Sequence, residues 1–249
     1  MVLTIATGIV GDVVSAAEEV DLELVILADA SRSIDNAEIR FQRQGYADAV
    51  THPDVLGAIE QGFRQKIAVT YVEWGDTTSQ EVVVPWTIID GEDSALAFAA
   101  ALLDAPRIAH GPNAIGNALA AAQALIESND VSAFRRVIDF SGDSANNFGG
   151  IPIAQARASA LAADIVINGL AILCRQDDCG GRPNLYDLED AFGKTIIGGP
   201  GSFVVTVDEG LSFADAVRRK LISEIADLEH RMLLPLVSAV SAPANDRGR

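Results

Sequence analysis

The chain has 249 residues, of which 49% are apolar and 21% charged; this is globular usage and excludes wholesale disorder. Its 18 Lys and Arg stand against 35 Asp and Glu, a formal net charge of −17 that argues against a nucleic-acid or anionic-membrane partner. No apolar run approaches the roughly 20 residues of a membrane-spanning helix, and the length suits one large or two small domains.

Residues 2–14 (VLTIATGIVGDVV) are mostly apolar, and Val14-Ser15-Ala16 before Ala17 fits the cleavage site of a secretory signal peptide. The lack of Lys or Arg after Met1, and Asp12 inside the apolar stretch, fit a plain tail instead. Residues 1–19 are thus read as signal peptide or tail. The first option makes the chain periplasmic or secreted, the second cytoplasmic.

Leu22–Ala28 (LELVILA) reads as a short strand. One helical stretch is expected over about 36–65, opened by a capping box from Asp35 to Glu38. Lys66–Trp74 and Glu81–Ile89 read as a strand pair joined at 75–79. Pro85 lacks an amide donor and so marks the second as an edge strand. Helices are expected over Ser94–Leu103 and Asn113–Ser128, then a strand over Arg135–Phe140 that ends in Ser141-Gly142-Asp143. Helix Ile153–Ala163, strands Ile165–Leu173 and Phe203–Val207, and helix Phe213–Leu234 complete the series; 236–249 reads as a frayed tail. Near-continuous apolar strands interleaved with helices predict one α/β domain over 20–235. Its sheet is doubly wound and mainly parallel, with helices on both faces and one antiparallel edge strand. Cys174 and Cys179 flank RQDD; the spacing is not that of a C-x-x-C redox pair and no second ligand pair accompanies them. They either close a small disulfide loop in an oxidising compartment or remain two thiols.

Ligands of such folds sit outside the carboxyl ends of the strands. Those positions hold Asp29-Ala30-Ser31-Arg32-Ser33, Gly111-Pro112-Asn113 and Gly142-Asp143-Ser144. Carboxylates, hydroxyls and a carboxamide are all hard oxygen donors. A cation such as Mg²⁺ takes about six oxygens and keeps some as water. The Asp-x-Ser-x-Ser spacing lets one turn aim alternate short side chains at a point close to the backbone. The plain alternatives are turn and capping roles for Ser31 and Ser33, and a helix cap for Asn113. Asp139 alternates with Ile138 and Phe140 and reads as a sheet-edge or supporting residue, not a ligand. Glu73 and Trp74 end a strand near the same rim, and His110 beside Gly111 is expected to have a surface role.

Asp29-x-Ser31-x-Ser33 after an apolar strand, with Asp143 after a later strand and a GNAL-type helix between, resembles the von Willebrand factor A domain. The segments DLELVILADASRSID, VTYVEWG, VVVPWTIID, RRVIDFSGD, INGLAI and IIGGPGSFVV resemble a bacterial branch of that superfamily, a family of unknown function whose members are usually exported. The resemblance covers most of the chain and implies a metal-ion-dependent adhesion site. In that pattern Ser31 and Ser33 coordinate the cation, while Asp29 and Asp143 act directly or through water. The superfamily carries Thr in the middle loop where this chain has Asn113, whose carbonyl oxygen is also a hard donor. The implied function is binding without turnover, in which Mg²⁺ (or Mn²⁺ or Ca²⁺) recruits a carboxylate of a protein partner.

Two rival readings remain. A metal-free interaction module would keep the fold and lose the ion. An ester hydrolase is suggested by Gly142-Asp143-Ser144, which resembles the first block of GDSL-type esterases, and by Asp227-Leu228-Glu229-His230, which matches their D-x-x-H spacing. Ser144 would then be the nucleophile and His230 its base. That family sets its serine block after the first strand, whereas here it follows a much later one.

Overall fold

The structure is a computed structural model that describes residues 17–173, 187–207 and 212–240, with side chains as far as Ala226 in the last segment. Residues 1–16 and both cysteines, Cys174 and Cys179, lie outside the described residues. In chain order the elements are β1 (Glu18–Asp29), α1 (Asn36–Val50), α2 (Pro53–Glu60), β2 (Ile67–Trp74), β3 (Gln80–Ile89), α3 (Glu92–Asp104) and α4 (Ile115–Glu127). They continue as β4 (Val131–Gly142), α5 (Ile153–Ala162), β5 (Ile165–Ile172), α6 (Leu188–Thr195), β6 (Val204–Val207) and α7 (Phe213–Val240). Among the described residues no helix is long and apolar enough to cross a membrane.

The strands form one six-stranded sheet in the order β3-β2-β1-β4-β5-β6. Every pairing is parallel except β2 with β3, so the expected antiparallel strand lies at the edge. Between Val69, paired with Thr87, and Tyr71, paired with Val84, the β2–β3 ladder shifts register. Pro85 falls in that gap, where its missing N–H costs no ladder bond. β1, in the middle of the sheet, is buried from Val20 to Asp29, which is why Leu24–Ala28 reads as an apolar run.

Leu24, Ile26, Tyr46, Tyr71, Phe98 and Phe213 fill the face covered by α1, α2, α3 and α7. Leu27, Trp74, Leu119, Phe140 and Phe192 fill the face covered by α4, α5 and α6. On α4 the buried Ile115, Ala118, Leu119, Ala122 and Ile126 follow helical spacing, one stripe against the sheet. Trp74 stacks on Phe140 with ring centroids 5.3 Å apart. It is therefore a core residue rather than part of the rim.

Four expectations need correction. The single helix over 36–65 is two, because Pro53 lacks an N–H and opens α2; the His52 ring accepts from the Asp54 N–H at 3.1 Å as its cap. α6 was not foreseen. β1 starts at Glu18, ahead of 20, its N–H donating to the Asp130 carbonyl at 2.9 Å. α7 runs on to Val240, past the expected end and into the segment read as a tail, with Pro235 inside it. The capping box of α1 forms as expected: Asp35 accepts from the Glu38 N–H, and Glu38 accepts from the Asp35 N–H.

From β1 the chain crosses to β2 on one side, and from β4 it crosses to β5 on the other. Helices therefore leave the carboxyl ends of β1 and β4 on opposite faces and open a crevice between them. Asp29 ends β1, and Asp143 directly follows β4. The topology alone brings the two carboxylates together.

Candidate metal centre

Asp29 is wholly buried, and one of its oxygens, Oδ1, accepts the backbone N–H of Ser31 at 2.8 Å. That bond folds the chain back at once, so the Ser31 and Ser33 hydroxyls come within 3.3 Å of each other. Ser31 is buried while Arg32 and Ser33 are exposed, so the turn runs from the core to the rim. The second Asp29 oxygen, Oδ2, is buried with no hydrogen-bond partner among the described residues. A Cβ placed on Gly142 would stand 3.3 Å from it, which locates the end of β4 directly against this oxygen.

Burial pushes the Asp29 carboxyl up to about 7, and the negative charge of Asp143 adds to the effect; donors at Ser31 and the Asp143 backbone offset it only in part. The Asp143 carboxyl is also raised by burial, against a hydrogen bond from Ser33 that favours its charged form. Two carboxylates in one half-dry crevice repel each other unless a proton or a cation lies between them. The set of donors is all oxygen, and one buried oxygen lacks a partner. Both features fit a small divalent cation held by Asp29, Ser31, Ser33 and Asp143.

Asn113 is buried to 6% exposure, in the loop that precedes α4. The Arg32 N–H donates to the Gly111 carbonyl at 2.7 Å, and the Phe148 N–H donates to the Asn113 carbonyl at 2.7 Å. The middle loop is thereby tied to both the Asp29 loop and the segment after β4. Asn113 is not the helix cap: that place belongs to Ala114, which offers no side-chain acceptor. Asn147 supplies one instead, its Oδ1 accepting the Gly116 N–H at 3.3 Å. The capping alternative for Asn113 is thus removed.

Residues that the sequence did not single out hold this arrangement. Arg107 donates to the carbonyls of Ala30 at 3.0 Å and Ile34 at 2.8 Å, and to Asn36 Oδ1 at 3.0 Å, clamping the whole Asp29–Asp35 turn. Gln42 of α1 donates to the Asp29 carbonyl at 3.2 Å. Nothing in the run Ala105–Pro112 marks Arg107 out by spacing. Glu73 is no rim residue: it is fully buried and takes a forked ion pair from Arg43 at 2.7 and 3.0 Å. Asp139 lies not at the sheet edge but in central β4, fully buried and 2.6 Å from Lys220. His110 is exposed, its ring facing the Ile108 carbonyl at 3.1 Å.

For the esterase reading, Ser144 Oγ accepts the Asn146 N–H at 3.1 Å and so closes a local turn. His230 lies on α7, and its side chain is outside the described residues.

A protein family described as "Protein of unknown function (DUF1194)" matches residues 19–229. The chain belongs to this family. No curated protein matches it. Among solved structures it is similar to proximal thread matrix protein 1 from the mussel byssus, with TM-score 0.53 and 15% identity over 86% of this chain and 49% of that one. The pilus adhesin SpaC of Lactobacillus rhamnosus GG gives TM-score 0.54 and 15% identity over 86% of this chain and 30% of its own. The SpRpn10 VWA domain gives 0.53 and 14% over 82% and 97%. The chain spans about half of the mussel protein and about a third of the adhesin, and nearly all of the isolated VWA domain. At such identities the likeness shows the fold alone: this DUF1194 chain has the von Willebrand A fold. One further structure of the mussel protein is described with a zinc-occupied MIDAS motif.

Proposed function

We propose that this DUF1194 chain is a divalent-cation-dependent binding module and not an enzyme. Asp29, Ser31, Ser33 and Asp143 hold the cation at the β1/β4 crevice, and Asn113 adds a carbonyl oxygen from the middle loop. The observation that carries this reading is the buried, unpartnered Oδ2 of Asp29, set beside a second carboxylate and a pair of hydroxyls 3.3 Å apart. Hard oxygen donors favour Mg²⁺, with Mn²⁺ or Ca²⁺ as substitutes. The zinc found at the MIDAS motif of the mussel neighbour supports a divalent cation at this place in the fold.

When bound, the cation supplies a Lewis-acidic point for an oxygen ligand. Asp29 and Asp143 would balance its charge, and a carboxylate brought by a protein partner would fill a coordination position the chain leaves open. The chain's own residues orient and select: Arg107 fixes the Asp29 turn, and exposed Ser33 stands at the mouth. The net charge of −17 opposes a long-range approach by an acidic partner, so recognition rests on contact at the cation.

Acetate, the smallest carboxylate, tests the recruitment step. Titrated into Mg²⁺-loaded protein, it should shift the backbone amide resonances of residues 30–33, and excess chelator should abolish the shift. Equal shifts with and without the cation, or none at saturating Mg²⁺ and high acetate, would overturn the reading.

A further inference from the structure

A second cluster of ionisable groups lies away from the crevice, between β4 and α7. Asp139, Lys220 and Glu224 are all fully buried. Lys220 Nζ stands 2.6 Å from Asp139 Oδ1 and 2.5 Å from Glu224 Oε1. Asn168 Nδ2 donates to the same Glu224 oxygen at 2.9 Å, and Arg135 donates to the Glu224 carbonyl at 2.5 Å. The Phe203 ring lies 5.8 Å from the ammonium, and the neighbouring core is aromatic, with Tyr46 and Tyr71. Two fully buried carboxylates thus share one ammonium. Asp139 Oδ2 and Glu224 Oε2 have no hydrogen-bond partner among the described residues.

This is an expensive arrangement for an ordinary ion pair. Desolvation of the charges is repaid only when the lone pairs are satisfied, and here one oxygen of each carboxylate is not. Burial pushes the Asp139 carboxyl up to about 7, the Lys220 charge opposing the rise and the Glu224 charge adding to it. A carboxyl carbon is held next to an amine nitrogen, with a second carboxylate positioned to move protons. Held in register by β4 and α7, such groups react as if at very high concentration.

We propose that Lys220 Nζ and Asp139 Cγ condense after folding into an intramolecular amide that cross-links α7 to β4, with Glu224 as proton relay. The new bond is N–C; the bond that breaks is one C–O of Asp139. The ammonium starts with three protons and the amide keeps one. The other two pass by way of Glu224 to the departing oxygen, which leaves as water, and Glu224 returns to its starting state. No oxidant, metal or activated co-reactant is consumed. The charged pair becomes a neutral amide, which removes the desolvation cost from the core. The proposal is independent of the metal site.

Mass spectrometry of the denatured full-length chain tests it. Lys220→Arg keeps the positive charge but replaces the amine nucleophile, and serves as the mass reference. Wild type should be lighter by one water than the mass its own covalent composition requires, whereas the Lys220→Arg chain should match its composition. A protease digest of wild type should yield one branched peptide that joins the segments holding Asp139 and Lys220. Glu224→Gln should convert at least tenfold more slowly. Recovery of both residues only in linear peptides, from folded wild-type protein kept for days at pH 7, would overturn the proposal. So would conversion of Glu224→Gln at the wild-type rate, as regards the relay. Should a variant fail to fold, the wild-type digest decides alone.

Discussion

Replacing Asp29 by Asn should stabilise the metal-free protein while abolishing metal binding. The carboxyl is raised from its ordinary 3.8 to about 7 by burial and by Asp143. At ~1.4 kcal/mol per tenfold change in proton affinity, that displacement amounts to ~4 kcal/mol. A carboxyl whose folded-state affinity for the proton is raised leaves the folded state with more protons than the unfolded state. Stability therefore falls as pH rises from about 4 to about 7, and the loss is complete above that range. Asn keeps the Oδ1 acceptor for the Ser31 N–H but carries no charge, so its gain should be small at pH 4 and near the full ~4 kcal/mol at pH 8. For a chain of this size the pH 8 difference corresponds to roughly 10 °C in Tm. The assay is thermal unfolding of both proteins in chelator across pH 4–8, where contributions common to the two proteins cancel from the difference. Mg²⁺ should then raise the Tm of wild type and leave the variant unmoved. A variant less stable than wild type at pH 8 in chelator, or a difference that does not change with pH, would refute the reasoning.

Arg107→Ala removes the clamp on the Asp29 turn and should cost ~2 kcal/mol in urea unfolding, with a several-fold loss of Mg²⁺ affinity in the same protein. Arg43→Ala strands Glu73 without its counter-charge and should cost ~3–5 kcal/mol, whereas Arg43→Met with Glu73→Leu should recover most of that; equal losses in the single and double variants would contradict it. Gly116→Ala reverses the usual helix gain. Its Cβ would stand 1.9 Å from the Ile151 carbonyl oxygen, so thermal unfolding should show a loss of ~2 kcal/mol where propensity alone predicts a gain.

The sheet was legible because its strands are buried on both faces and so print as near-continuous apolar runs; LELVILA in β1, interrupted only by Glu23, is a plain case. Pro85 marked the edge correctly, for the same donor deficit that shifts the β2–β3 register around it. The break between α1 and α2 was also written in the sequence, at Pro53, which opens α2 at its first position. Charged residues gave the weakest signals. Asp139 looked like an edge residue because the partner that neutralises it, Lys220, lies some 80 positions away on α7. A trace was nonetheless available: Phe213, Ala216, Val217, Lys220, Leu221, Glu224 and Ile225 fall on one buried stripe of the helix, with two charges inside it. At the crevice, Asp29, Ser31 and Ser33 announced themselves by spacing, and Asp143 by following a strand. Arg107 did not, because it acts through carbonyl groups that any sequence would supply.

The central claim is that the β1/β4 crevice binds a divalent cation, and calorimetric titration of Mg²⁺ into chelator-stripped protein tests it most directly. The account predicts saturable binding at one site, lost in Asp29→Ala. Absence of any binding heat or competition up to millimolar Mg²⁺ and Mn²⁺, by protein shown to be folded, would contradict it and leave the domain a metal-free scaffold.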